Sequence, residues 1–110
     1  MLVQKYVDML QGKSVIRTLS EFATARGKET DCVSRSFCPK LSIAEDPVCG
    51  SAHCQIADYW VGELGKEQIY AYQASKRGGY LHCKIKGNGR ITISGEAVIV
   101  AISEILAQCN

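Results

Sequence analysis

The apolar positions of this chain change period along its length. Between residues 2 and 10, LVQKYVDML, the positions Leu2, Val3, Tyr6, Val7 and Leu10 recur at helical spacing, and Gly12 closes the segment. Residues 14–20, SVIRTLS, are β-rich and predict a strand. Residues 23–31, ATARGKETD, are polar and predict a loop. Cys32–Phe37 predicts a short strand that Pro39 stops. Residues 39–50 hold both prolines of the chain and read as an irregular connection. Ser51–Leu64 is the strongest helix, with Ile56, Ala57, Trp60, Val61 and Leu64 on one face and Gly65 placed to end it. Beyond it the period drops to two. Gln68–Ala74 and Tyr80–Lys86 alternate as strands on either side of a turn at Arg77-Gly78-Gly79. Gly87-Asn88-Gly89 signals a hairpin into a strand at Arg90–Ser94, and Gly95 turns the chain once more. Ala97–Ile102 is a β-branched run and predicts a last strand, while Ser103–Asn110 fits a helix end or a loop equally. The pattern describes one α+β domain over residues 1–110, with antiparallel strands and a buried central helix at about 51–64.

Composition narrows the class. With 46% apolar residues and a formal net charge of +2, the chain has the balance of one small globular domain. That near-even charge leaves no footprint for nucleic acid or for an anionic membrane. No apolar run reaches the ~20 residues that span a bilayer, and the start Leu-Val-Gln-Lys-Tyr-Val-Asp after Met1 is unlike a signal peptide. A cytoplasmic protein is expected. On that ground the six cysteines, Cys32, Cys38, Cys49, Cys54, Cys83 and Cys109, are expected as reduced thiols rather than a disulfide framework. No pair has C-x-x-C spacing, and Cys49, His53 and Cys54 form the only close group, so no metal and no cofactor are expected.

Candidate chemistry gathers in EDPVCGSAHC, residues 45–54, where the helix opens with small residues and no acidic side chain. The first N–H groups of a helix lack internal partners and sit at the positive end of its dipole. Gly50 lets another molecule approach the backbone, and Ser51 adds a hydroxyl, which together form a cradle for a carboxylate or phosphate. The alternative is that Ser51 caps the helix and Gly50 serves the turn. Asp46 before Pro47 has two readings, a turn residue or a group that orients a substrate. Cys49 is either a thiol activated by the helix end or a small buried residue, and His53 is expected half-buried on the helix. In QASKRGG, residues 73–79, Gln73, Ser75 and Arg77 would point the same way from a strand, and Gly78-Gly79 would turn backbone N–H groups to a ligand. A solvated strand end followed by a turn explains the same residues.

Three motifs then occur in order: Ser34-Arg35-x-Phe37-x-Pro39, Glu45-Asp46-Pro47-x-x-Gly50-Ser51-Ala52-His53, and Gln73-x-Ser75-x-Arg77-Gly78-Gly79. From about Val33 to Ile105 the chain resembles the phenazine biosynthesis PhzF-like family of isomerases and epimerases. The resemblance implies the diaminopimelate epimerase-like fold, in which each of two lobes is a curved antiparallel sheet around a central helix. The active site of that fold lies between the lobes, where both helices aim their N-termini at the substrate. It further implies that Gly50, Ser51 and Ala52 hold a substrate carboxylate, with His53 and Gln73 beside them and Arg77, Gly78 and Gly79 lining the same mouth. Asp46 and Ser51 are the implied catalytic residues, and the chemistry is cofactor-free proton transfer on a small carboxylic acid. Cys49 stands where the family often has Thr.

All three motifs belong to the second lobe. The family's principal proton-transferring glutamate lies in the first lobe, and Glu45 is not its equivalent. The expectation is therefore a C-terminal lobe with the N-terminal lobe absent. Its partners would be a small carboxylate-bearing molecule and either a separate N-terminal lobe or a second copy in a homodimer. A lobe without its partner can alternatively persist as a non-catalytic anion-binding or self-associating remnant.

Overall fold

The computed structural model describes residues 21–107 of the chain. The helix expected at 2–10 and the strand at 14–20 lie outside the described residues. Six strands and one α-helix follow in the order β1 (Glu21–Arg26), β2 (Cys32–Cys38), β3 (Ile43–Asp46), α1 (Gly50–Leu64), β4 (Gln68–Gln73), β5 (Gly79–Lys86) and β6 (Arg90–Gly95). A 3-10 turn at Pro39–Leu41 joins β2 to β3. The α+β class holds, with one lobe built from a six-stranded sheet and a single helix.

The sheet runs β1-β2-β4-β5-β6, with β3 attached to β2. The expectation of an antiparallel sheet is met at four pairings. The fifth, β2 with β4, is parallel, because α1 carries the chain across between them. One edge of β2 takes β1 throughout. The other takes β4 at Cys32–Ser34 and β3 at Ser36 and Cys38. The end of β4 therefore meets the end of β3 beside the middle of β2, and the helix starts from that corner.

Alternation explains which side chains meet the helix. Cys32, Ser34, Ser36 and Cys38 of β2, Ile69, Ala71 and Gln73 of β4, and Leu81 and Cys83 of β5 are buried. Ala52, His53, Ile56, Ala57 and Trp60 of α1 pack over that face, and Val61 and Leu64 are half-buried at its margin. Burial of a side chain such as Ile56 or Ile69 contributes about 1.5–3 kcal/mol. Gly65 ends the helix in a left-handed turn at φ 62°, its N–H bonded to the Val61 carbonyl. Burial pushes the Cys32 and Cys83 thiols up to about 11, so both stay protonated in the core.

The structure corrects the sequence reading in three places. Residues 23–26, expected as the start of a loop at 23–31, belong to strand β1 instead. Its Thr24 hydroxyl accepts from Trp60 Nε1 and donates to the Val33 carbonyl, both at 2.9 Å. Residues 43–46, expected irregular, form β3, held to β2 across a register shift. Ala97–Ile102, expected as a strand, has no regular structure, and Gly95 belongs to β6 rather than to a turn. Val98, Ile99, Val100, Ile102, Ile105 and Leu106 stand 83 to 91% exposed. Among the described residues nothing covers them, so β-branching alone has no sheet to join.

Candidate active site at the entrance to the central helix

Residues 46–50 bridge the corner between β3 and α1, and their backbone is held by four polar side chains, those of Asp46, Gln73, His53 and Ser75. Asp46 Oδ1 accepts the Val48 N–H at 3.0 Å, which folds Asp46-Pro47-Val48 into a tight turn. Gln73 is buried at the end of β4. Its Nε2 donates to the Asp46 carbonyl and its Oε1 accepts the Cys49 N–H, each at 2.7 Å. His53, one helical turn on, lies 2.7 Å from the Cys49 carbonyl through Nδ1 and 3.2 Å from Ser34 Oγ through Nε2. A carbonyl can only accept, so Nδ1 carries the proton and Nε2 accepts from Ser34. The half-buried position expected for His53 is corrected to a wholly buried one. Burial lowers the His53 pKa, against the opposing pull of the Cys49 carbonyl, and keeps the ring neutral.

This clamp leaves the helix end itself open. The N-cap residue is Cys49, in extended conformation, and no side chain caps the first turn, which contains no acid. The capping role considered for Ser51 is therefore corrected. Ser51 lies inside the first turn, with its Oγ 3.4 Å from Cys49 Sγ. A Cβ at Gly50 would meet nothing within 4 Å, so the backbone there faces open space. Ser51 is exposed and Ala52 is buried against the core. Asp46 stands opposite Ser36, whose buried hydroxyl has no hydrogen-bond partner among the described residues.

Arg77, Gly78 and Gly79 come to the same corner by a different route. The strand ends at Gln73, so Ser75 and Arg77 lie in the turn, and the common face expected for Gln73, Ser75 and Arg77 is not formed. Ser75 Oγ donates to the Pro47 carbonyl at 2.6 Å and accepts the Gly78 N–H at 2.9 Å, tying this turn to the one at Asp46. Gly78 has φ +72°, and a Cβ on Gly79 would overlap Val48 Cγ2. Gly79 thus serves the close packing of the two turns, while Gly78 takes a left-handed conformation against the Tyr72 ring. The exposed Arg77 borders two clefts. One, of ≈ 470 Å³, lies against Glu45, Pro47 and Ser75; the other, of ≈ 540 Å³, lies against Val48, Gly79 and Gly95.

Two roles were not visible in the sequence. Glu45 makes a two-pronged ion pair with Arg35, at 2.7 and 2.8 Å, and Arg35 lies over the Phe37 ring at 5.6 Å. The Glu45 hydrogen bonds raise the Arg35 pKa further. Glu45 is thereby occupied in holding β3 to β2. Ser34 and Gln73 support the helix entrance from beneath. For Gln73 the available signal was parity: it shares the inward face of Ile69 and Ala71. Among the described residues no three potential metal ligands come together, and no helix is long and apolar enough to cross a membrane.

Comparison with known proteins places this architecture. The family model described as phenazine biosynthesis-like protein matches residues 6–103. An uncharacterized isomerase of Pseudomonas aeruginosa is 49% identical over 82 residues, covering 74% of this chain and 31% of that protein. An uncharacterized isomerase of Halalkalibacterium halodurans is 41% identical over 100 residues, covering 91% and 36%. The crystal structure of a PhzF-family phenazine biosynthesis protein from Enterococcus faecalis superposes with a TM-score of 0.68 at 40% identity, over 84% of this chain and 38% of that one. The chain spans about a third of the length of these relatives. With the helix entrance, the sheet around it and the family model in agreement, the chain belongs to the phenazine biosynthesis-like, or PhzF, family.

Proposed function

We propose that this chain supplies the carboxylate-binding half of a PhzF-like isomerase or epimerase. The reaction is cofactor-free transfer of a proton at a carbon of a small carboxylic acid, in the cytoplasm. The observation that carries the reading is the uncapped first turn of α1, open at Gly50 and free of acidic side chains. The N–H groups of Gly50, Ser51 and Ala52, aided by the Ser51 hydroxyl, bind the substrate carboxylate there. Asp46, fixed one turn away by Val48 N–H and Gln73, positions or exchanges a proton with the substrate's polar groups. Arg77 adds positive charge at the same mouth, and the backbone at Gly78 and Gly79 lets it close against Val48.

Proton transfer at carbon needs a base within about 3 Å of the hydrogen removed. The second wall of the cleft and its base come from another lobe, and the exposed residues 97–106 are the surface that lobe covers. The test is wash-in of solvent deuterium at a substrate carbon, followed by mass spectrometry, with an N-terminal family lobe added in trans. Exchange is expected with the lobe present and lost in Asp46→Asn. No exchange under either condition contradicts the enzymatic reading. The exposed tail also favours a second reading, a non-catalytic remnant that binds carboxylates and pairs with its own copy. That reading predicts carboxylate binding weakened by Ser51→Pro, a concentration-dependent dimer, and no exchange.

A further inference from the structure

The face of the sheet turned away from α1 carries a second, unrelated arrangement. Tyr72 and Tyr80 lie 4.7 Å apart, Tyr80 and Tyr70 stack at 5.5 Å, and Tyr70 and His82 stack at 4.5 Å, with the last two pairs within 20° of parallel. Four rings thus form a ladder across β4 and β5 that ends on His82. The residue facing His82 on β6 is Ser94, whose small side chain bends to the His82 carbonyl at 3.3 Å. The outer face of the imidazole therefore has no ring beside it among the described residues. A cleft of ≈ 510 Å³ opens at that point, bordered by His82, Lys84, Thr92, Ser94 and Gln68 and, on its other side, by Asp31, whose carboxylate is paired with Lys66; Lys86 and Arg90 lie beyond it.

Below His82 the same face becomes cationic. Lys84 follows two residues on, opposite Thr92, and then Lys86 stands directly opposite Arg90. Like charges placed opposite each other across strands repel. Lys84, Lys86 and Arg90 are exposed, and none has an acidic partner among the described residues. At the rise of a strand, Lys84 lies ~7 Å and Lys86 ~13 Å along from His82. The face thus offers a ring to stack on, hydroxyl and amide groups in the middle, and several positive charges at the far end.

We propose that this outer face of β4–β5–β6 binds a nucleoside polyphosphate, its base stacked on His82 and its phosphates held by Lys84, Lys86 and Arg90. The spacing decides the class. A planar ring separated by a polyol from two or three negative charges spans that distance, whereas a simple anion uses the cations and leaves the ring face idle. The cleft volume lies within the range of small-ligand sites. This site is separate from the helix entrance and does not rest on the proposed reaction.

The test is calorimetry of the full chain with ADP, adenosine and inorganic pyrophosphate. ADP is expected to bind at least about tenfold more tightly than either part alone. His82→Ala is expected to weaken ADP about tenfold and leave pyrophosphate unchanged, since only the stacked base is lost. Lys86→Ala with Arg90→Ala is expected to weaken both ligands, and added salt to do the same. These positions are exposed, and circular dichroism checks that each variant folds. Equal affinity for ADP and pyrophosphate with a silent His82→Ala reduces the face to a cationic patch and overturns the proposal. Absence of ADP binding in the millimolar range also overturns it. Binding of an oligothymidylate more than about tenfold tighter than ADP reassigns the face to single-stranded nucleic acid and overturns it too.

Discussion

The entrance to α1 and the tail after β6 invert the usual arrangement in opposite senses. The entrance buries polar side chains: Ser34, His53 and Gln73 are at most 2% exposed. The tail exposes apolar ones, from Val98 to Leu106. The first inversion is stable because the bonds close on each other. Gln73 satisfies the Asp46 carbonyl and the Cys49 N–H, while His53 satisfies the Cys49 carbonyl and takes the Ser34 hydroxyl. The second has no internal compensation among the described residues. One region is complete among the described residues, and the other stands uncovered among them. Substitutions at the entrance should therefore act on the fold, and substitutions in the tail on association.

The largest effect is expected from Gln73→Ala. It leaves a buried donor at Cys49 and a buried acceptor at Asp46 without partners, a loss of about 2–4 kcal/mol. The midpoint of urea unfolding measures it, and a change below about 0.5 kcal/mol would show that the clamp does not hold the corner.

His53→Gln is expected to cost somewhat less, about 1–3 kcal/mol at pH 7.5, and to remove one acid-sensitive component of stability. Burial lowers the His53 pKa below its ordinary 6.5. The unfolded chain therefore takes up the proton first as pH falls. Stability from this group is complete above about pH 6.5 and declines below it, toward the folded-state value. Unfolding midpoints at pH 7.5, 6.5 and 5.5 should fall more steeply for the parent chain than for His53→Gln. Parallel slopes would contradict a neutral, buried ring.

Gly79→Ala comes next, at about 1–3 kcal/mol, because its Cβ overlaps Val48 Cγ2. Combining it with Val48→Ala should recover part of the loss, and a double-mutant cycle shows whether the two turns press on one another. Val100→Lys, at 91% exposure, is expected to shift stability by no more than about 0.5 kcal/mol. It should nevertheless abolish binding of an added lobe or a second copy, measured by sedimentation. A folding defect of the size seen at Gln73 would show that the tail is part of this lobe's own core.

Much of the fold was legible because its signals are local. The 3.6-residue period of α1, the left-handed turn at Gly65 and the alternation of β4, β5 and β6 each lie within one short window. Strand β1 was hidden because its alternation is polar, and its place depends on Thr24 meeting Trp60, thirty-six residues away. Strand β3 is four residues long and is held through Arg35 and Glu45, so a window around it reads as loop. The depth of His53 was likewise decided at a distance, by Ser34 on β2. In the tail the opposite happened. The β-branched run gave a strong local signal, yet a strand also needs a neighbour, and none is described.

The most direct test of the open helix entrance is titration of the ¹⁵N-labelled chain with succinate, followed through its amide resonances. The account predicts saturable shifts at Gly50, Ser51 and Ala52, attenuated in Ser51→Pro, with the tail amides from Ala97 to Ala107 unmoved. Shifts absent from the first turn of α1, or equal there and in the tail, would contradict it.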